Sequence, residues 1–177
     1  MGFRTCPRCS EPLQHGHPSC PICDFALSYV DSTFGSRRVR VDRLTDASRT
    51  INPDELDQLQ LRLRRFEQDF PQLFFAIYIA DLPESTSLRE LGFWLINRAI
   101  FDSPRSNDSA LLLCINNQSF SASLSLGYIP EQFLGEDALS SILARAEPYL
   151  AERQYGRLIA SCLNSVTWWL RQPLEVA

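Results

Sequence analysis

Between Pro71 and Pro83 runs Leu73-Phe74-Phe75-Ala76-Ile77-Tyr78-Ile79-Ala80, a stretch without a single charged side chain. A half-exposed strand would alternate apolar and polar residues. A continuous apolar, aromatic and β-branched run predicts instead a central strand covered on both faces. Such a strand needs a packed layer above it and another below, and the flanking sequence supplies the helices. Asn52-Pro53-Asp54-Glu55 is a helix start, with Asn52 as N-cap, proline in the first turn and acids next to the helix amino end. Leu56, Leu59, Leu63, Phe66 and Phe70 follow at helical spacing, and Pro71 ends the helix. Leu88, Leu91, Leu95 and Ala99 mark a second helix over 87–100, and 101–109 reads as a loop. Residues 110–115 and 120–126 flank Asn116-Asn117-Gln118-Ser119 as a β-hairpin. Ser121, Ser123 and Ser125 alternate with Ala122, Leu124 and Leu126, which predicts one solvated face on the second hairpin strand. Helices are expected over 135–150 and 151–170, and Arg38-Val39-Arg40-Val41-Asp42 alternates as a half-exposed strand. The order β, α, β, α, β-β, α, α predicts a three-layer α/β sandwich, a mixed sheet of about four strands with helices on both faces.

The first 23 residues have a different chemistry. Cys6-Pro-Arg-Cys9 and Cys20-Pro-Ile-Cys23 are two C-x-x-C knuckles separated by ten residues. Two residues between cysteines let one tight turn present both sulfurs to the same ion, and four thiolates form the tetrahedral set that zinc prefers. Proline after the first cysteine of each pair stiffens that turn. Two disulfides would need an oxidising compartment, and the sequence shows no signal peptide ahead of the first knuckle. The reading is therefore a structural Zn2+ held by Cys6, Cys9, Cys20 and Cys23 in a reducing, cytoplasmic setting. His15 and His17 are loop residues once four thiolates are available. Cys114 and Cys162 fall in apolar patterns and read as small buried hydrophobes. Both histidines of the chain lie in the knuckle loop, so neither remaining cysteine has a histidine of the α/β domain to activate it. The expected organisation is a zinc ribbon over 1–30, a linker or short connecting element over 31–37, and an α/β domain over 38–172.

Charge narrows the partners. A formal net charge of −4 argues against a general nucleic-acid binder. Arg4, Arg8, Arg37, Arg38, Arg40 and Arg43 nevertheless gather in and after the ribbon, which keeps nucleic-acid contact by that segment as a minor reading. No apolar run approaches the roughly 20 residues of a membrane span. Trp168-Trp169 is expected to place one ring in the core and the other at its rim, where it could anchor a partner.

Several segments, taken in order, resemble the TPM domain family. They begin at Leu44-Thr45-Asp46 and the Asn52-Pro53-Asp54-Glu55-Leu56 helix start. Asn107-Asp108-Ser109-Ala110-Leu111-Leu112-Leu113 follows, then Leu126-Gly127-Tyr128, Leu134, Pro148-Tyr149-Leu150 and Gln154-Tyr155-Gly156. The resemblance spans about residues 40–170 and implies an α/β fold and, in a family whose members include thylakoid-lumen and bacterial-envelope proteins, weak acid-phosphatase activity. It departs at polar positions. Asn116-Asn117-Gln118 replaces acidic residues and arginine in the hairpin turn, and Ser109 and Ile129 replace two glycines in turns expected to face the site.

Two functions from different classes follow. One is a weak, divalent-metal-assisted phosphate-ester hydrolase, with Asp46 and Asp108 holding Ca2+ or Mg2+ or acting as acid and base beside the hairpin turn. The other, favoured because the turn has lost its acids and no Ser-His-Asp set or phosphate loop is present, is a non-catalytic adaptor for a protein partner, with the zinc ribbon as a structural element.

Overall fold

The computed structural model describes residues 5–13 and 18–172. Its helices are α1 (Leu27–Phe34), α2 (Pro53–Asp69), α3 (Leu88–Arg98), α4 (Glu136–Ala151) and α5 (Tyr155–Leu170). Its strands are β1 (Val39–Val41), β2 (Leu44–Asp46), β3 (Phe74–Ala80), β4 (Ala99–Phe101), β5 (Ala110–Asn116) and β6 (Ser121–Leu126). The main sheet has the order β2-β3-β5-β6, with β2, β3 and β5 parallel and β6 antiparallel to β5. A separate parallel pair joins β1 to β4.

The uncharged run is the interior strand β3, and its two faces feed two cores. Phe75, Ile77 and Ile79 pack with Leu59, Leu63 and Phe66 of α2, Ile142 of α4, and Leu158 and Ile159 of α5. Phe74 and Ala76 point the other way, toward Phe93 and Leu95 of α3. The chain is thus a three-layer α/β sandwich with a mixed four-stranded sheet. The steps β2 to β3 and β3 to β5 run in the same direction across the sheet, yet α2 and α3 lie on opposite faces. The two crossovers are therefore of opposite hand, and one of them is the rare left-handed kind.

Local signals explain most element boundaries. The Asn52 side chain accepts from the Glu55 amide at 2.9 Å, with Pro53 in the first turn of α2. The Ser87 side chain caps α3 through the Glu90 amide. Three short elements lie outside the predicted pattern: α1, which spans the end of the expected ribbon and the start of the expected linker; β2; and β4, which takes Ala99 and Ile100 from the end of the expected helix and Phe101 from the expected loop.

The solvated serine face of β6 is corrected by the structure. Ser123 and Ser125 are 8% and 9% exposed, because α3 lies directly on them. A Cβ built on Gly92 of α3 would fall 2.1 Å from Ser125 Oγ. Glycine on the helix and serine on the strand are small residues that permit close approach, and here their polarity does not report exposure.

Candidate functional site: the cysteine cluster and the two ends of the sheet

The two cysteine knuckles are built alike. The Cys6 amide donates to Glu11 O and the Ser10 amide returns to Cys6 O; Cys20 with Phe25 and Asp24 with Cys20 repeat both bonds. Ser10 and Asp24 each adopt positive φ, 62° and 55°, which turns each knuckle back on itself. Isolated bridges, Thr5 with Pro12 and Ser19 with Ala26, close the two loops. The amides of Arg8 and Cys9 point at Cys6 Sγ, and those of Ile22 and Cys23 at Cys20 Sγ.

This scaffold brings the four sulfurs together. All four lie within 4.8 Å of one another, with Cys6 to Cys23 at 3.6 Å and Cys9 to Cys20 at 3.7 Å. Those separations exceed the roughly 2.05 Å of a disulfide. They fit the roughly 3.8 Å edge of a tetrahedron whose centre is about 2.3 Å from each sulfur, the geometry of a thiolate-bound metal ion. Burial opposes ionisation of Cys20, but the knuckle amides and the hydrogen bonds with Cys9 and Cys23 outweigh it and bring the thiol down to about 7. Burial, with Cys9, Cys6 and Cys20 nearby, pushes Cys23 up to about 12. His15 and His17 lie outside the described residues.

The cluster is packed into the domain. Cys6 and Cys20 belong to the same core as Phe74, Phe93 and Leu112. Phe25 meets Phe93 edge-on at 5.1 Å, and Phe34 lies 5.6 Å from Trp94, whose indole donates to Gly35 O at 2.8 Å. Arg8 pairs with Glu90 at 2.9 Å and stacks over Tyr29 at 3.6 Å, which raises its pKa. Arg98 of α3 forms a bidentate pair with Asp31 of α1 and holds that carboxyl below its usual range. Ribbon and α1 together form an outer layer on α3.

The aspartates predicted to share a site are separated. Asp46 is level with Ile79 and, through β3, with Ile115, at the carboxyl end of the parallel strands. Asp108 lies in a 3-10 turn just before Ala110, which is level with Phe74 at the opposite end. The five residue steps from Ala110 to Ile115 alone place them about 16 Å apart along the strands. Asp46 accepts from Thr50 Oγ1 at 3.2 Å and from the Ile51 amide at 2.8 Å, so it ties off the turn after β2. Asp108 bonds to Ser106 within its own turn. Ser109 and Ile129 are at Asp108's end of the sheet; neither has positive φ, and the Ile129 amide donates to Asp108 O at 2.8 Å.

The hairpin turn does lie at the Asp46 end. Asn116 is fully buried; its side chain accepts from the Leu82 and Gln118 amides and donates to Leu82 O. Asn117 donates to Asp81 at 2.7 Å and accepts from Tyr155 OH. Burial raises the Tyr155 pKa, Asp81 and Asp46 add to the rise, and Arg153 opposes it. Asp81 and Tyr155 thus join Asp46 and Asn117 at the carboxyl ends of parallel strands, where open α/β sheets bind ligands. The position of Asp81 directly after the uncharged run was the available sequence signal for it. Among the described residues, the four cysteines are the one group of three or more His, Cys, Asp or Glu side chains gathered closely enough for an ion.

The remaining candidates have structural surroundings. Cys114 and Cys162 are buried, and burial pushes both thiols up to about 12. Trp169 packs against the core while Trp168 is 52% exposed, the two rings edge-on at 5.1 Å. Arg43, like Arg105, pairs with the buried Glu67, so Arg8 and Arg43 of the basic cluster are both engaged; Arg4 lies outside the described residues. No helix among the described residues is long and apolar enough to cross a membrane.

The fold and cysteine cluster define the class: an α/β sandwich with two opposed C-x-x-C knuckles docked on one helical layer. No family model and no curated protein matches the sequence. Solved structures share the fold, two of them as follows. The N-terminal domain of a protein from P. gingivalis, determined by solution NMR, aligns at TM-score 0.54 and 20% identity, over 72% of this chain and 80% of that one. The solution NMR structure of the N-terminal domain of the cg2496 protein from Corynebacterium glutamicum aligns at TM-score 0.57 and 10% identity, over 76% and 84%.

Proposed function

We propose that the protein is a non-catalytic adaptor: a TPM-like α/β domain with an N-terminal ribbon whose four cysteines hold one structural Zn2+. The observation that carries this reading is the position of the cysteines. They are gathered at tetrahedral spacing, with Cys6 and Cys20 buried beside Phe25, Val30 and Phe93 and the half-buried Cys9 and Cys23 packed against that core. A metal so enclosed braces a surface, and four thiolates leave no open coordination position for a substrate. Four reduced cysteines also favour a reducing location such as the cytoplasm. The partner is a protein. A pulldown with the full chain tests the reading: Cys6→Ser with Cys9→Ser should lose the partner while β3 and β5 stay folded, and retention of the partner would contradict it.

The second reading, a weak metal-assisted phosphate-ester hydrolase, draws support from the Asp46, Asp81, Asn117 and Tyr155 cluster at the carboxyl edge. Its bound ion would be Ca2+ or Mg2+, with Asp46 as a ligand or base. Asp108, at the other end of the sheet, would take no part. Metal-dependent phosphatase activity lost in Asp46→Ala and kept in Asp108→Ala would favour it.

A further inference from the structure

The ribbon and α4 form the walls of a groove along an unpaired strand edge, and at the start of α4 Thr5 and Arg89 of one wall reach across to Glu136 of the other. β6 pairs with β5 on one side and is the last strand of the sheet on the other. The Gly127 amide donates to Ala110 O, and the antiparallel alternation counted from that pair directs the N–H and C=O groups of Ala122, Leu124 and Leu126 away from β5. Edge strands are usually blunted by a charge, a proline, a bulge or shortness. Ser-Ala-Ser-Leu-Ser-Leu has no charge and no proline, and its register with β5 is continuous over all six residues. The opposite edge strand, β2, is only three residues long.

What covers β6 is a cleft of about 520 Å³, within the size range of ligand sites. Thr5, Pro7 and Pro12 of the ribbon form one wall with Arg89 of α3, and Leu139 and Leu143 of α4 form part of the other. We propose that this groove binds an extended segment of a partner protein, which adds to β6 as a fifth strand. The inference rests on the adaptor reading and names its docking site. Backbone groups at the base of the groove supply the hydrogen bonds, as in other recognition by strand addition. Alternation supplies selectivity: every second side chain of the guest faces Leu139 and Leu143 and is aliphatic, while those between face Pro7, Pro12 and the β6 serines and are small and polar. A second copy of this chain is a poor occupant. Ser123 to Leu126 are recessed, none more than 9% exposed, so the walls of two copies would collide before their β6 edges met.

The test uses the full zinc-loaded chain and a labelled peptide of alternating valine and threonine, flanked by lysines for solubility. Fluorescence polarisation should show binding that weakens at least tenfold when the peptide amides of one edge are N-methylated. Ser140 is exposed on the α4 wall, so Ser140→Trp should block the groove, again at least tenfold, without changing the melting temperature; Ser140→Arg is the second variant. Hydrogen exchange at Ala122, Leu124 and Leu126 should slow on binding. Equal affinity for the N-methylated peptide, indifference to both Ser140 variants, or no binding at millimolar peptide would overturn the proposal. So would a dimer that Ser140→Trp dissolves, which would assign the edge to a second copy. A pulldown partner lost with the cysteines but kept by Ser140→Trp would remove the groove and leave the adaptor reading standing.

Discussion

The four cysteines and the two aspartates are both sets of polar residues that the sequence nominates for one site, and the structure treats them oppositely. Each cysteine pair sits in a single tight turn, so its spacing already dictates that both sulfurs face one point. The two turns need only meet, and the bridges at Thr5 and Ser19 close two matching loops that do so. Asp46 and Asp108, 62 residues apart in the chain, depend on the relative direction of the strands that carry them. One is the last residue of β2 and the other precedes the start of β5, which runs parallel to β2 with β3 between them, so strand direction alone sends them to opposite edges. Local spacing is a safe guide to convergence; order along the chain is not.

The largest effect expected to sharpen this contrast comes from the metal. Cys20→Ser should abolish stoichiometric zinc, measured by elemental analysis. It should also unfold the ribbon, since zinc binding contributes on the order of 10 kcal/mol to folding in small thiolate modules. Full zinc retention would break the comparison at its root. Next is the surface on which the ribbon rests. Phe93 is fully buried against Phe25, and Phe93→Ala should cost about 3–5 kcal/mol in denaturant unfolding.

Gly92→Ala should cost about 1–3 kcal/mol by overpacking, and Ser125→Gly in the same chain should recover part of the loss. No recovery would mean that α3 meets something other than Ser125 there. The two aspartates should then separate in stability as they do in space. Asp46→Ala should lose about 1–3 kcal/mol with its bonds to Thr50 and Ile51, while Asp108→Ala, with only a local contact to Ser106, should stay within about 0.5 kcal/mol.

The smallest effect is one of pH. Arg98 lowers the Asp31 pKa in the folded state, so this pair stabilises the fold above the unfolded carboxyl value of about 3.9. That contribution is lost as the pH falls through the lower folded value. The melting temperature gap between the native chain and Asp31→Asn should therefore be full at neutral pH and close in strong acid. A gap that widened in acid would contradict the assignment.

The layered architecture was legible because its signals are local: the uncharged β3 run, the Asn52 cap and the helical spacing of Leu59, Leu63 and Phe66. What could not be read were features decided by tertiary packing. The serines of β6 alternate like a wet face and are dry because Gly92 admits a helix. Strands β2 and β4 are three residues each, too short to show a period. Helix α1 lies in a Ser, Thr, Asp and Gly-rich segment and is held by Phe25, Val30 and the Asp31–Arg98 pair. At the carboxyl edge Asp46 was visible, whereas its neighbours Asp81 and Tyr155 come from other parts of the chain and needed the sheet to bring them together.

The central claim is that the cysteine cluster braces one helical layer and leaves the opposite core independent of it. Hydrogen exchange of the full chain before and after zinc chelation tests this directly. The account predicts that protection is lost over residues 5–13 and 18–34 and on the Phe93 side of α3, while β3, β5 and the buried faces of α2 and α5 keep theirs. Unchanged protection of the ribbon after the metal is gone, or collapse of the whole sheet with it, would contradict the account.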